Sequence, residues 1–355
     1  MYILRKTIWK AGADPARAGS DGWQTPRSYE ACRIPGMVRT ARGTLLMVCE
    51  ARDTLSDWAR IDLLLCRSED GGRIGEPLLL ASGDAEHQTV NNPVLIPARD
   101  GRVFLLYCRD YSVDGGNVFL RVSEDDGLTW SEPRDLMAAT RPAEHAAFAF
   151  GPGHGIETPD GVLLSPVWFV PAGAHPDPRS HHPARVSVFL SKDGGETWSL
   201  GPVLAETPDC PDPNETAAAV TSGGGVYLNA RLTGAGYRAV SYAARGTDAF
   251  TPFSPARDLP DPTCMGSAAS AEYRGRHVLL FVNCASTDGR HRLVCRASDD
   301  DGRTWPHALT VEPGDAGYAD LAVKDGNVFV LYEQRWGEVV RLAHFGLDEL
   351  IADGS

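Results

Sequence analysis

The sequence predicts an all-β protein folded as a six-bladed β-propeller, and three observations support this prediction. Short apolar or alternating runs, such as GTLLMVCEAR, RVFLLYCRD and HVLLFVNC, are separated by Gly, Pro, Asp and Asn, as expected for strands joined by hairpins. An amphipathic helix pattern is not found before the last dozen residues. The phrase S-x-D-x-G-x-T-W follows three of the strands, as SEDDGLTW, SKDGGETW and SDDDGRTW.

The spacing of this phrase predicts the number of blades. Its copies start at Ser123, Ser191 and Ser298, and a degenerate copy, SEDGGRIG, starts at Ser68. The gap before Ser298 is wide enough for one unmarked repeat near SYAARGTDAFTPF. Repeats of roughly 55 to 60 residues with about four strands each are typical of propeller blades. Because the chain has 355 residues, we expect a single six-bladed domain over residues 1–355.

Within the phrase, each residue type has a structural role. The Asp two residues before the Gly can accept backbone N–H bonds across a tight turn, the Gly can take a positive φ, and the Trp anchors the next strand. A calcium loop is the alternative interpretation, because DDDG resembles part of such a loop. With Gly302 at the sixth position, however, the first ligand would be Ala297, which has no oxygen in its side chain. We therefore predict a structural turn and no metal site.

Composition and charge exclude several classes of function. The chain is 43% hydrophobic, lacks any run of 18 apolar residues, and shows no secretory leader pattern at its N-terminus, so a soluble cytoplasmic protein is expected. A net charge of −13 argues against nucleic-acid and anionic-membrane partners. The cysteines form no CxxC pair, and most lie in apolar runs, where cysteine behaves as a small hydrophobic residue. They are Cys32, Cys49, Cys66, Cys108, Cys210, Cys264, Cys284 and Cys295.

The S-x-D-x-G-x-T-W repeats resemble the Asp boxes of the sialidase (neuraminidase) superfamily, and further phrases extend the resemblance. RIP at Arg33–Pro35, followed by GTLLMVCEAR, is similar to the first-blade signature of that family. NETAAAVTSGGGVYLNAR, GRHRLVCRASDDDGRTW and GYADLAVKDGNVFVLYE resemble its later segments, in the family's order. The resemblance runs from about residue 29 to 335 and implies a propeller that binds and hydrolyses sialosides.

The resemblance implies that three arginines bind the substrate carboxylate. They are Arg33, Arg231 and Arg290, and three permanently charged guanidinium groups suit bidentate recognition of a carboxylate. Arg292 is an alternative to Arg290, because both have the same strand parity; Arg290 is preferred for its position at the strand start. Arg52 is a further candidate for a contact on the carboxylate or acid side.

For catalysis, the resemblance implies Tyr318 as the nucleophile and Glu215 as its general base. A phenol with a pKa near 10 is a poor nucleophile until a carboxylate takes its proton. A neutral tyrosine also approaches an anomeric carbon that carries a carboxylate without like-charge repulsion. Asp57 is implied as the acid/base catalyst, while the alternative, Asp62, precedes the apolar run LLLC and is expected to be structural.

These residues predict a retaining exo-α-sialidase that needs no cofactor and acts on terminal α-linked nonulosonic acids. Departures from the family pattern, such as Cys284 and Ala319, leave the glycerol and N-acetyl pockets unassigned, so Kdn or Kdo glycosides are alternative substrates. Two alternative functions are a trans-sialidase-like variant and a non-hydrolytic sugar-binding propeller. His154 is a candidate for a position near the propeller axis, and the SHHPAR segment is expected to be a solvated loop rather than a metal site.

Overall fold

A computed structural model describes residues 3–12, 29–84, 89–110, 117–140, 142–177, 180–245, 247 and 249–351. The described residues form six sheets, antiparallel except for one short parallel strand, arranged as the blades of a propeller, which confirms the predicted fold class. All eight cysteines are buried and free. Within the described ranges, no helix is both long enough and apolar enough to cross a membrane.

Blades 1 to 3 follow one another along the chain. Blade 1 contains β2 (Ala31–Arg39), β3 (Leu45–Arg52), β4 (Ile61–Ser68) and β5 (Leu78–Ser82). Blade 2 contains β6 (Val90–Pro97), β7 (Val103–Arg109), β8 (Asn117–Ser123) and β9 (Arg134–Asp135), with β11 (Gly153–His154) added in parallel to β6. Blade 3 contains β10 (His145–Phe150), β12 (Ile156–Glu157), β13 (Leu163–Pro171), β14 (Arg185–Ser191) and β15 (Ser199–Leu200).

Blades 4 to 6 complete the ring. Blade 4 contains β16 (Pro213–Val220), β17 (Val226–Leu232), β18 (Tyr237–Ala243) and β19 (Ser254–Pro260). Blade 5 contains β20 (Ser267–Tyr273), β21 (Arg276–Cys284), β22 (His291–Ser298) and β23 (His307–Asp315). Blade 6 contains β24 (Ala319–Lys324), β25 (Asn327–Gln334), β26 (Val339–Gly346) and the N-terminal strand β1 (Leu4–Lys10); a short helix, α1 (Leu347–Leu350), follows β26. Because β1 pairs with β26, the two ends of the chain close the ring within one sheet.

The repeated phrases occupy one face of the propeller, which we call the box face. Each full copy connects the third strand of a blade to the fourth, as Ser123–Trp130 connects β8 to β9. In this copy Thr129 N–H donates to Asp125 Oδ1 (2.8 Å), Gly127 N–H donates to Ser123 Oγ (2.8 Å), and Gly127 has φ 81°. The predicted roles of the Asp and Gly are therefore present in the turn.

Asp320, near the start of β24, joins innermost strands across the propeller axis. Its carboxylate accepts hydrogen bonds from Met37 N–H (2.6 Å) in blade 1 and from Ser267 Oγ (2.5 Å) in blade 5. His154 Nδ1 lies 2.7 Å from the same carboxylate, so this histidine lies at the axis. These contacts fix the start of β24 relative to blades 1, 2 and 5, and residue 318 lies directly before that strand.

Candidate active site

The face opposite the boxes, which we call the site face, carries the residues that the sequence singled out. The innermost strand of each blade starts at this face, and the second strand, being antiparallel, ends there. Arg33 and Glu215 lie at the starts of β2 and β16, and Tyr318 directly precedes β24. Arg231 lies near the end of β17, and Arg290 directly precedes β22. Strand polarity therefore brings residues from four blades together around the axis.

Tyr318, Glu215 and Arg231 form a closed triangle of hydrogen bonds. Tyr318 Oη donates to Glu215 Oε1 (2.5 Å). Arg231 Nη1 donates to Glu215 Oε2 (2.6 Å) and to Tyr318 Oη (2.9 Å). Glu215 thus accepts the phenolic proton, while Arg231 is placed to stabilise negative charge on the phenolic oxygen. This is the geometry of a nucleophile with its general base.

The environment keeps the Tyr318 phenol protonated until a reaction draws off its proton. Burial raises its pKa well above the usual value, and the negative charge of Glu215 raises it further. The positive charges of Arg231, Arg290 and Arg33 lower the pKa, but by less than burial and Glu215 raise it. The phenol therefore keeps its proton in the free protein and shares it with Glu215 through the hydrogen bond between them.

Two further arginines lie against the ring of Tyr318. The guanidinium carbons of Arg33 and Arg290 are 5.2 Å and 5.1 Å from the ring centroid. Arg292, the alternative to Arg290, is exposed and has φ 56°. The structure therefore brings Arg290, and not Arg292, next to Arg33 and the tyrosine.

Glu333, near the end of β25, holds Arg33 in place. Its Oε2 accepts hydrogen bonds from Arg33 Nε and Nη2, both at 3.3 Å. Its Oε1 accepts the N–H of Ile34 (2.7 Å), a β-branched residue with φ 54°. Positive φ is costly for such a residue, and backbone strain of this kind concentrates at functional sites. The glutamate thus stabilises both the guanidinium and the strained bend that aims it.

The same arrangement of a buried glutamate, an arginine and a backbone bend occurs one blade further on. Glu50, near the end of β3, accepts the N–H of Asn92 (2.7 Å), which has φ 50° and occupies the position in blade 2 that Ile34 has in blade 1. Glu50 Oε2 also accepts hydrogen bonds from Arg52 Nε (2.8 Å) and Nη2. Each of these glutamates therefore fixes one arginine and one bend of the following blade.

Asp57 lies on the loop after β3 and is paired with Arg52. Arg52 Nη1 donates to Asp57 Oδ1 at 2.6 Å, and the Asp57 side chain is 42% exposed. Burial raises the pKa of Asp57, but the charge of Arg52, the hydrogen bond from Arg52 and the charges of Arg33 and His181 together lower it by more, so the net shift is downward. Asp62, the alternative, is buried in blade 1, where it accepts hydrogen bonds from Tyr29 Oη and Ser82 Oγ, both at 2.6 Å. Its contacts are those of a packing residue.

The histidine loop differs from the sequence expectation. SHHPAR was predicted to be a solvated loop, yet His181 is half-buried, with its ring 5.2 Å from that of Trp168. Burial lowers the pKa of His181, and the charges of Asp57 and Glu215 oppose this shift without reversing it. A neutral imidazole therefore lies near both carboxylates. No cluster of three or more His, Cys, Asp or Glu suited to a metal ion occurs in the described ranges.

Sequence reasoning missed Glu50, Glu333 and His181. The two glutamates had a visible signal, because each follows an apolar run, in LLMVCE and VFVLYE, at the place where a strand should end in apolar packing. A charged residue there is buried only if it is paired. His181 gave no such signal, because its neighbours in the sequence are polar residues and prolines.

Comparison with known proteins is consistent with this geometry. A protein-family model described as the BNR repeat-like domain matches residues 75–330, well over half of the chain. A sialidase of Bacteroides fragilis is 29% identical over 359 residues, which cover 91% of this chain and 62% of the relative. A sialidase of Micromonospora viridifaciens is 32% identical over 351 residues, which cover 89% of this chain and 51% of the relative. The chain thus spans only about half to two thirds of these relatives.

Among solved structures, the Hadza microbial sialidase Hz136 superposes with a TM-score of 0.81 at 26% identity. The match covers 91% of this chain and 67% of that protein. The superposition agrees with the overall fold, and the family model and the relatives agree with the resemblance carried by the repeated phrase. The chain therefore belongs to the sialidase superfamily of BNR-repeat proteins.

Proposed function

We propose that the protein is a retaining exo-α-sialidase that releases terminal α-linked nonulosonic acids from glycoconjugates. The observation that carries the proposal is the contact of Tyr318 Oη with Glu215 Oε1 (2.5 Å) and with Arg231 Nη1 (2.9 Å). A buried phenol that shares its proton with a carboxylate, next to a permanent cation, is equipped to attack a carbon. The names of the relatives support the same class of substrate.

In this proposal the arginines hold the substrate carboxylate. Arg33 and Arg231 already have the carboxylates of Glu333 and Glu215 as partners. Arg290 has no carboxylate within ion-pair distance among the described residues and donates only a long hydrogen bond to Thr263 O (3.4 Å). The three arginines therefore carry one uncompensated positive charge, which a substrate carboxylate neutralises.

The first chemical step is attack of Tyr318 Oη on the anomeric carbon. The phenolic proton passes to Glu215, a carbon–oxygen bond forms to the tyrosine, and the bond to the leaving oxygen breaks. The leaving oxygen takes a proton from Asp57. Water then attacks the same carbon and gives a proton to Asp57, while the carbon–oxygen bond to Tyr318 breaks and Tyr318 Oη takes its proton back from Glu215. Two displacements restore the original anomeric configuration.

Asp57 must carry a proton to act as the acid. In the free protein Arg52 holds it in the charged form, since Arg52 lowers its pKa. Arg52 is itself anchored by the buried Glu50, so the pair is separated only by movement of the exposed loop that carries Asp57. We propose that substrate binding moves Asp57 away from Arg52 and toward the leaving oxygen, where its pKa rises.

The proposal is tested by incubating the protein with 4-methylumbelliferyl α-ketosides of Neu5Ac, Neu5Gc, Kdn and Kdo. Release of the fluorophore with at least one of them is expected, with the α-anomer of the free sugar acid appearing first in an NMR time course. Appearance of the β-anomer first would remove Tyr318 as the nucleophile. A product with an internal anhydro bond, or binding without turnover, would identify a transferring variant or a sugar-binding propeller.

The role of Asp57 is tested separately with Asp57→Asn. Acid catalysis contributes about 10²- to 10⁴-fold to a reaction with a poor leaving group. We expect a loss of that size with an alkyl sialoside such as sialyllactose and a much smaller loss with the aryl substrate, whose phenolate leaves with little protonation. Asp62→Asn is the matched control for the alternative acid. Equal losses on both substrates would contradict the assignment of Asp57.

A further inference from the structure

Trp336 lies on the site face, where its indole covers two of the arginines. It belongs to the connection Arg335–Gly337 between β25 and β26 and is 59% exposed. Its ring centroid is 4.8 Å from the guanidinium carbon of Arg290 and 6.0 Å from that of Arg33. An exposed indole is ordinarily a loss of buried apolar area, so its position above two cations requires an explanation.

The backbone that presents Trp336 is strained. Arg335, Trp336 and Gly337 have φ values of 52°, 56° and 91° in succession. Positive φ is unfavourable for the first two side chains, and such outliers persist only where surrounding contacts over-determine them. Gly337 could not be replaced, because a Cβ there would lie 2.5 Å from Arg33 Cγ and 2.8 Å from Cys32 O. The connection is therefore packed directly on the arginine that it covers.

Polar contacts hold this connection from the side of blade 5. Asp315, at the end of β23, accepts the N–H of Arg335 through its carboxylate. The backbone oxygen of Asp315 accepts a hydrogen bond from Gln334 Nε2 (2.9 Å). The segment from Asp315 to Gly317 leads directly to the nucleophile Tyr318. Strain in the connection is thus offset by contacts that tie it to the chain entering the active site.

Arg290 differs from the other two arginines in what orients it. Carboxylates orient Arg33 and Arg231, whereas Arg290 lies between two rings, that of Tyr318 at 5.1 Å and that of Trp336 at 4.8 Å. A ring face attracts a guanidinium without contributing a formal negative charge. An acidic residue in place of Trp336 would orient Arg290 equally well, but its carboxylate would compete with the substrate carboxylate for the guanidinium.

We propose that Trp336 is a positioning residue for Arg290, which it clamps against Tyr318 so that the guanidinium is oriented yet electrically available to the substrate carboxylate. The inference rests on the proposed function, because it assumes that the arginines bind a sugar acid. The inference assigns a role to Trp336, which lies outside the repeated phrases. It also gives a reason for the strained backbone of the connection Arg335–Gly337.

The test measures binding of 2,3-didehydro-2-deoxy-N-acetylneuraminic acid, a non-hydrolysable carboxylate, by calorimetry. Trp336→Ala and Trp336→Leu are expected to weaken binding by about 3- to 30-fold, because both remove the ring face. Trp336→Phe should recover most of the affinity, since it restores a ring. Leu128→Ala is the control, because Leu128 is similarly exposed (56%) but lies in a box turn on the opposite face. It should bind as the wild type does.

A double-mutant comparison separates positioning from direct contact or from general damage to the fold. In an Arg290→Ala background, Trp336→Leu should change affinity less than twofold, because Arg290 is absent and Arg33, 6.0 Å from the indole, is held by Glu333. An equal loss in both backgrounds would overturn the inference, as would unchanged affinity of Trp336→Leu in the otherwise native protein. If the native protein neither binds the probe nor cleaves the aryl ketosides, the proposed function fails and the inference fails with it.

Discussion

The two faces of the propeller satisfy their polar groups in opposite ways. On the box face, Asp193 accepts hydrogen bonds from Thr197, four residues away, and Ser191 Oγ accepts one from Gly195 N–H. On the site face, Tyr318 is bonded to Glu215 across 103 positions, and Arg33 to Glu333 across 300. The Ser and Asp of each box turn are therefore bonded within one hairpin, and Asp126 and Asp301 of these turns also accept hydrogen bonds from a neighbouring blade. The site, by contrast, exists only when the ring has closed.

This difference indicates what each face contributes. A turn that satisfies itself locally contributes stability and blade geometry whatever the rest of the molecule does. A site that pairs buried charges from distant blades carries the cost of their desolvation, which only the full set of partners offsets. Substitutions on the site face should therefore change catalysis, and substitutions on the box face should change stability. The predictions below test that division.

The largest effect is expected for Tyr318→Phe. Removal of the phenolic oxygen removes the nucleophile but keeps the packing of the ring, so turnover of an aryl sialoside should fall by several orders of magnitude while the melting temperature changes little. Tyr227→Phe is the matched control, because Tyr227 is buried near the box face and its Oη also has a hydrogen-bond partner, Asn229 (2.8 Å). Near-native turnover of Tyr318→Phe would contradict the inference that substitutions on the site face change catalysis.

The next effect, Trp198→Ala, belongs to the box face. Trp198 is 6% exposed, stacks on Phe189 with ring centroids 5.5 Å apart, and donates from Nε1 to Gly195 O (3.1 Å). Truncation of a buried aromatic residue costs about 3–5 kcal/mol of unfolding free energy. Urea titrations should show that loss, while kcat/KM of the folded fraction stays unchanged. Leu128→Ala, an exposed change on the same face, should stay within about 0.5 kcal/mol of the native protein.

A smaller effect is expected for Arg290→Ala. A hydrogen bond to a charged group contributes about 1.5–3 kcal/mol, so kcat/KM should fall by about 10- to 150-fold, with parallel weakening of inhibitors that carry a carboxylate. Arg292→Ala, an exposed change two residues away, should have less than a twofold effect. The reverse result would transfer the third carboxylate contact to Arg292.

The smallest effect concerns acid stability and Asp125. Hydrogen bonds from the Thr129 side chain and N–H lower the pKa of this carboxyl to about 2, against about 3.9 in an unfolded chain. Its carboxylate therefore stabilises the folded state above about pH 4, and this contribution is lost as the pH falls toward 2. Because the turn is solvated, we expect the Asp125 carboxylate to contribute only about 0.5–1 kcal/mol to the free energy of unfolding.

Urea midpoints between pH 5 and pH 2.5 check this expectation. Asp125→Asn should lower stability at pH 5 and show a shallower decline on acidification than the native protein. Glu124→Gln is the control, because its exposed neighbouring carboxyl makes no bond to the turn among the described residues. Identical acid profiles for native protein and Asp125→Asn would show that the box carboxylate does not stabilise the turn.

Much of the fold could be predicted from the sequence because its determinants are local. Strand runs, the Gly and Asp of each turn and the recurrence of S-x-D-x-G-x-T-W depend on residues within one hairpin, and they predicted six blades correctly. The closing of the ring by β1 and β26 was not predicted, because no feature of either strand alone specifies a partner more than 300 residues away.

The candidate site was also predicted only in part from the sequence. Residue types and motif positions identified Tyr318, Glu215 and the arginines as candidates, but the sequence could not separate Arg290 from Arg292 on strand parity. The structure separates them, because Arg290 precedes β22 and faces Tyr318, whereas Arg292 is exposed. Glu50, Glu333 and Trp336 gain their roles from partners in other parts of the chain.

The sequence by itself therefore determined the blades, the box turns and the inventory of charged and aromatic groups, since period, turn chemistry and residue type act over a few residues. Only the tertiary structure decided which carboxylate neutralises which arginine. Glu333 compensates Arg33, Glu215 compensates Arg231, and Arg290 is left between two rings. The physical reason is that electrostatic and ring contacts depend on distance in space, and the closure of the ring sets those distances for residues up to 300 positions apart.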